Sequence, residues 1–398
     1  MERNSLIKTR DGKNFLFPFI LITSLFFLWG FAHSILDVLN KHFQDTMEIT
    51  RTRSALIQAM VYGGYFIMAL PAGNLIRRFG YRAGVLTGLV LYGIGALLFI
   101  PGERIGSFEF FLFSLFVIGC GLTCLETAAN PYVTVLGEPE GSERRLNLAQ
   151  SFNGLGWICG PLVGGFFLFA GKGDVSTPYA IIGIIVLLVA LIFTKVRLPE
   201  IGNAPTLQPQ KGTGGKRLWK ERTFTVGLTA LFLYVAAQTG INSFFINYAT
   251  DTAGISAQKA SVWLSFGGMG LFMAGRMGGS WLMRTVRAEK VLAWCAFGAA
   301  VSMATVIFLQ GKAGWYGLLL CFLCESIMFP TIFALALRKA GENTKRASSF
   351  LIMSIVGGAI APILMGYIAD TYSMAIGFAV PMLCFLVIMG YAIRYKSL

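Results

Sequence analysis

Phe110-Phe-Leu-Phe-Ser-Leu-Phe-Val-Ile-Gly-Cys-Gly-Leu-Thr-Cys-Leu-Glu-Thr-Ala-Ala-Asn-Pro-Tyr-Val-Thr-Val-Leu-Gly137 carries one charged side chain, Glu126. At about 1.5 Å per residue, Glu126 sits roughly 24 Å along a helix from Phe110 and roughly 15 Å from Leu136. That is deep inside a hydrocarbon layer about 30 Å thick. A charge at such depth costs a few kcal/mol, and residues of this kind face a cavity, a partner or a proton path. Asp37 repeats the anomaly, being the only charged residue between Asn14 and Asn40.

The rest of the chain agrees with a membrane reading. Of its 398 residues, 55% are hydrophobic and 13% charged, and the mean hydropathy is +0.67. A soluble domain is about 25% charged, so a soluble fold is excluded. Apolar runs long enough to cross a bilayer predict twelve spans. Six precede a polar stretch, near 17–43, 54–76, 83–101, 108–136, 147–170 and 178–194. Six follow it, near 224–248, 260–283, 291–309, 315–337, 348–369 and 375–393.

The 33 basic and 19 acidic residues give a net charge of +14, and their placement says why. Lys41, Arg51, Arg53, Arg104, Lys172, Lys259 and Lys312 fall on one side of the predicted spans. Arg276 falls within a span, and every other base lies at a terminus or in a loop on the opposite side. Such asymmetry predicts both termini in the cytoplasm. The charge records topology and an attraction to anionic lipid, not nucleic-acid binding. The first fifteen residues show no cleavable signal pattern, so the first span is expected to direct insertion. The seven cysteines all lie in apolar runs and read as small packing residues, not disulfides or metal ligands.

The stretch 197–222 holds Pro199, Pro205, Pro209, Gly212, Gly214 and Gly215 among several lysines. It reads as a flexible cytoplasmic linker between an N-terminal six-helix half, 1–196, and a C-terminal one, 223–398. The halves resemble each other. Glu126-x4-Pro131 in span 4 matches Glu325-x4-Pro330 in span 10. Gly156, Pro161 and Gly165 in span 5 match Gly357, Pro362 and Gly366 in span 11. The expected fold is therefore an all-α membrane protein, twelve transmembrane helices in two pseudo-symmetric halves with a site between them, a recurring transporter plan.

A carboxyl out of water favours its protonated form, so Glu126 is suited to carry a proton. Asn130, at i+4, shares its helix face, and that face can hydrogen-bond a polyhydroxylated ligand. The alternative is a structural acid paired with a neighbouring helix. Asp37 reads either as a second titrating site or as a helix-end residue paired with Lys41 at i+4. Gln150 and Asn153 share a face entering span 5, and as two-way hydrogen-bonders they suit sugar hydroxyls or serve as interhelical glue. Gln238, Asn242 and Asn247 of span 7 pose the same choice, with Gln238 favouring ligand contact. Trp29, Tyr62, Tyr65, Trp157, Tyr234 and Trp263 lie within spans and are available to stack on a sugar ring or to pack. Gly156, Gly160 and Gly164 predict close helix approach. Arg276 and Glu325 form a possible gating or structural pair. His33 and His42 are too few and too far apart for a metal site or a nucleophile's base. No zincin, P-loop or nucleophile-elbow motif is present, so membrane enzymology has no support and no cofactor is implied.

The motif Cys124-Leu-Glu-Thr-Ala-Ala-Asn-Pro-Tyr-Val-Thr-Val-Leu-Gly137, followed by Arg145-Leu-Asn-Leu-Ala-Gln-Ser-Phe-Asn153, resembles the fucose–galactose–hexose branch of the major facilitator superfamily. Phe26-Phe-Leu-Trp29 leading to Asp37, Leu56-Ile-Gln58 with Gly64-Tyr-Phe66, and Ala237-Gln-Thr239 add to the likeness. It leans toward the L-fucose–proton symporters. Gly73-Asn-Leu-Ile-Arg-Arg-Phe-Gly80 puts Arg77 where the wider superfamily has an acid, as the branch does. Gln238 is an amide where some hexose members carry an acid. The resemblance implies alternating access and symport of a monosaccharide with a proton as coupling ion. It assigns Glu126 to sugar and proton, Asp37 to proton translocation, and Gln150 and Asn153 to contacting or supporting the ligand. A monomer in a bacterial inner membrane is expected. Glucose, galactose or amino-sugar symport, uniport and antiport remain the alternatives; a non-transporting sensor would expect a signalling domain.

Overall fold

An unpaired backbone group in hydrocarbon costs several kcal/mol, so an apolar segment there must satisfy its own N–H and C=O groups. Helix is the local solution, and it is what the chain adopts. The structure, a computed structural model, describes residues 15–136, 142–170, 174–195, 218–283, 285–338 and 344–397. Most of the expected linker, 196–217, lies outside them.

The first six spans are α1 (Leu16–Met47), α2 (Arg51–Ile76), α3 (Arg78–Ile105), α4 (Phe108–Val135), α5 (Ser142–Gly165, continued as a π-helix over Phe166–Ala170) and α6 (Ser176–Lys195). Then follow α7 (Arg222–Asp251), α8 (Ala257–Val262, a π-helical Trp263–Gly268, and Met269–Leu282) and α9 (Ala288–Phe308). The last are α10 (Gly311–Glu325 and Met328–Leu337), α11 (Thr344–Met353 to Gly357–Thr371) and α12 (Met374–Gly377 and Ala379–Arg394). Among the described residues, 11 helices are long and apolar enough to cross a membrane. The remaining span is α8, whose glycines and Arg276 dilute its hydropathy.

Two ends differ from expectation for local reasons. Span 2 starts earlier, at Arg51, because the Thr50 hydroxyl accepts the Arg53 N–H at 3.1 Å and caps the first turn. Span 3 runs on to Ile105, where Gly106 at φ +68° closes it in the left-handed conformation.

By packing, the chain forms two units: Met1–Ile35 with Gly63–Thr206, and Leu36–Tyr62 with Leu207–Leu398. Residues 36–62 thus pack with the second-half helices. Asn40 Nδ2 donates to the Ser243 carbonyl at 2.6 Å, and Tyr62 and Thr239 share a hydroxyl bond of 3.2 Å. Asn247 donates to Gln44. The Arg51 and Thr52 amides donate to the two Asp370 oxygens at 3.0 and 2.8 Å, and the Arg51 guanidinium meets Asp251 at 2.5 Å.

Inside the first unit, α5 lies directly on α1. A Cβ added at Gly156 would collide with the Phe27 carbonyl oxygen, and one at Gly160 with the Ser34 hydroxyl. Ser34 Oγ donates to the Gly156 carbonyl at 3.2 Å. The second unit repeats this contact, since a Cβ at Gly357 of α11 would meet the Phe232 carbonyl oxygen of α7. All seven cysteines are free thiols, and Cys124, Cys321 and Cys384 are buried.

Candidate functional site

In the first unit the polar residues predicted on α4 and α5 come together. Glu126 is half-buried and lines a small pocket with Leu25, Phe26, Trp29, Leu125 and Ala129. Its volume is about 10 Å³, room for about one water molecule. The Tyr65 hydroxyl of α2 hydrogen-bonds the Glu126 side chain. Asn130, one turn along α4, accepts a bond from Gln150 Nε2 at 3.4 Å, so both amides are half-buried beside the acid. Among the described residues, no ion pair is made by Glu126: those present are Lys41–Asp45, Arg51–Asp251 and Arg287–Glu289. Its carboxyl is therefore open to meet a ligand or a proton.

Asn153 is tied to α1. Its Nδ2 donates to the Phe26 carbonyl of α1 at 3.1 Å, which ties α5 to α1 next to the glycine contact.

Trp29, Tyr65 and Trp157 are expected among the span aromatics, but their grouping with His33 is not. The Trp29 indole Nε1–H donates to the Tyr65 hydroxyl at 2.8 Å, and His33 Nε2 lies 3.0 Å from the same oxygen. His33 is 8% exposed and stacks on Trp157, centroids 6.0 Å apart and planes 14° from parallel. A signal was present: Trp29, His33 and Asp37 recur every fourth residue on one helix, the spacing of a shared face.

In the second unit Asp37 is buried, at 2% exposure. Lys41 pairs with Asp45 at 2.8 Å and not with Asp37, so the solvated helix-end reading fails. Gln58 Nε2 donates to Asp37 Oδ1 at 3.1 Å, while Oδ2 has no partner among the described residues. The buried Asn40 Oδ1 and Asn242 Oδ1 are likewise without partners. A buried acceptor left without a donor costs about 1–3 kcal/mol, so acceptors of this kind suit a hydroxylated ligand or water. Gln238, one turn before Asn242 on α7, is half-buried.

Arg276 and Glu325 make no ion pair with each other. Pro330 has no N–H, so the Ser326 carbonyl four residues earlier loses its helical donor and α10 breaks at Ser326–Ile327. Arg276 Nε donates to that carbonyl at 3.3 Å, and its guanidinium lies 4.9 Å from the Phe272 ring centroid. Glu325 has 0% exposure, and among the described residues neither carboxyl oxygen has a hydrogen-bond partner.

Comparison with known proteins agrees with this architecture. The family model described as Major Facilitator Superfamily matches residues 19–354. A protein named glucose/galactose transporter from Brucella abortus biovar 1 is 35% identical over 397 residues, covering 97% of this chain and 96% of its own. The L-fucose-proton symporter of Escherichia coli K12 is 37% identical over 416 residues, covering 97% and 94%. The crystal structure of the transporter FucP in the outward conformation has 37% identity and a TM-score of 0.69, over 96% of this chain and 99% of that one. With a family match across most of its length and relatives above a third identical end to end, the chain belongs to the Major Facilitator Superfamily.

Proposed function

We propose that the protein is a proton-coupled monosaccharide symporter importing a sugar, with L-fucose first among the candidates, across a bacterial inner membrane with both termini in the cytoplasm. The observation that carries this reading is Glu126: an acid at membrane depth, without an ion pair, lining a pocket beside Tyr65 and the Asn130–Gln150 amides. Relatives named for L-fucose–proton symport and for glucose/galactose transport support the class of cargo.

In this mechanism Glu126 takes up a proton and, with Asn130 and Gln150, binds sugar hydroxyls. Asn153 holds the α5 face in place, and Gln238 and Asn242 contribute from α7. Asp37, with one oxygen held by Gln58 and one open, is the second proton-handling carboxyl. Neutralising the acids lowers the cost of closing the site away from water. Release of sugar and then of the proton on the inner side lets the empty carrier return.

The test is proton-gradient-driven uptake into proteoliposomes with Glu126→Gln. Loss of accumulation is expected, and undiminished accumulation overturns the coupling role. Alkalinisation of the medium on sugar addition separates symport from uniport and antiport. A thermal-shift panel of L-fucose, D-galactose, D-glucose and N-acetylglucosamine identifies the cargo, because relatives of both kinds match at similar identity (35 and 37%).

A further inference from the structure

The gating pair expected from the sequence, Arg276 and Glu325, is not formed, and the outer ends of the helices offer another. Residues 36–62, the end of α1 and the start of α2, pack with the second-half helices. Asn40 Nδ2 donates to the Ser243 carbonyl, and Asn247 Nδ2 to Gln44 Oε1. Both bonds span 203 residues, so this part of α1 and α7 run side by side in one direction and in fixed register. From Gln44 the bonding continues. Its Nε2 donates to Ser54 Oγ at 2.7 Å, and Ser54 Oγ donates to the Arg51 carbonyl at 2.9 Å. The Arg51 guanidinium meets Asp251 at 2.5 Å, and Asp251 lies one turn beyond Asn247 on α7. The bonds thus close a ring through α1 and α2 and back to α7.

Asp370 of α11 grips this ring at Arg51. Its oxygens accept the Arg51 and Thr52 amides at 3.0 and 2.8 Å and the Thr52 hydroxyl at 2.6 Å. Arg51 also donates to the Ala369 carbonyl at 3.3 Å. A Cβ on Gly366, one turn earlier on α11, would stand 2.7 Å from the Arg51 carbonyl oxygen, so glycine is what lets the two backbones come this close. An ion pair at a wet edge holds little by itself. Here it is one bond among several that meet on Arg51 and its neighbour.

Water reaches the ring and stops there. A cavity of about 500 Å³ opens beside it, lined by Arg51, Asp251, Gln310, Asp370 and Tyr372. Behind it Asn40, Ser243 and Asn247 are 0% exposed. Asn40 Oδ1, Ser243 Oγ and Asn247 Oδ1 have no partner among the described residues. Buried polar atoms left unmet disfavour the packed seam, and opening it to water satisfies them. The bonds at the rim and the unmet atoms behind it oppose each other, as an element with two states requires. We propose that Arg51, Asp251 and Asp370 form an outer clasp, which opens to admit sugar and closes behind it.

This inference rests on the proposed transport and topology, and its test is separable from the role of Glu126. In right-side-out membrane vesicles, Ser243→Cys is labelled with a membrane-impermeant maleimide, read as the increment over protein without that substitution. Adding Asp370→Asn, which keeps the shape but no longer accepts at both oxygens, should speed labelling by about fivefold or more. Asp251→Asn removes only the Arg51 ion pair and should speed it about twofold; it decides the matter if Asp370→Asn does not fold. The thermal unfolding midpoint in detergent reports which variants are folded. Unchanged labelling in the folded variants overturns the proposal. Neither sugar nor a proton gradient enters this measurement. A Glu126→Gln protein that accumulates sugar normally therefore sinks the coupling reading and leaves the clasp standing.

Transport gives a second readout. Sugar binds from outside only while the clasp is open, so the open fraction scales the apparent affinity. Half-saturating external L-fucose or D-galactose should fall about two- to tenfold in Asp370→Asn. A lower yield of folded carrier with half-saturation unchanged marks a fastening role alone and overturns the proposal.

Discussion

Glu126 and Glu325 occupy matching places in the two halves, each five residues before a proline, yet their surroundings diverge. Glu126 lines a pocket, bonds Tyr65 and stands beside a pair of linked amides. Glu325 is fully buried, and its oxygens bond nothing. Arg276, its expected partner, is engaged with the carbonyl that Pro330 leaves free. The buried Tyr234 hydroxyl, near enough to Glu325 to interact electrostatically, has no hydrogen-bond partner either. The duplicated motif goes with a helix break only in the second half: α10 is interrupted at Ser326–Ile327, whereas α4 runs unbroken from Phe108 to Val135. Symmetry of sequence does not carry symmetry of surroundings here.

The sharpest way to break this comparison is to neutralise each acid in turn. Glu126→Gln should lower proton-driven accumulation by about 10²-fold or more, the scale of a lost proton-transfer group. Glu325→Gln, the same shape without charge, should leave it within about twofold. Equal losses in both would show the two acids to be functional equals. A smaller effect tests the packing the halves share. Gly160→Val should destabilise the first unit by about 1–3 kcal/mol through overpacking against Ser34. It is read as a lower midpoint in thermal unfolding in detergent, and an unchanged midpoint would show that α1 and α5 can separate freely.

Arg276→Ala removes the donor to Ser326. A loss of about 1–3 kcal/mol is expected from the unpaired carbonyl, with transport impaired only in proportion to the folded protein recovered. A specific loss of transport by a stable Arg276→Ala protein would restore a gating role. The least effect belongs to Tyr234→Phe, which deletes a hydroxyl without a partner. Its stability should stay within about 1 kcal/mol of wild type, in contrast to the transport defect expected of Tyr65→Phe.

Much of the candidate site was legible in the sequence because a charge in an apolar run is conspicuous. Glu126, Asp37 and Glu325 stand out for that reason, and Asn130 follows from its one-turn spacing. What escaped was the identity of partners. Tyr65 looked like one of several span aromatics, and His33 was dismissed because two histidines suit neither a metal nor a nucleophile. Lys41 looked like the natural mate of Asp37 at i+4, but Asp45 lies in the same relation on its other side and takes it. Asn153 carried the same amide signal as Gln150, yet its Nδ2 bonds the α1 backbone and not a neighbouring amide.

By itself the sequence determined the membrane fold and the spans. Hydrocarbon leaves the backbone few options, and hydropathy, proline and glycine act over neighbouring residues. Only the tertiary structure decided which acid has company, because its company comes from helices far away in the chain. Tyr65 reaches Glu126 across 61 positions of sequence, and Arg276 reaches Ser326 across 50. Helix packing sets such distances, and no local pattern encodes them.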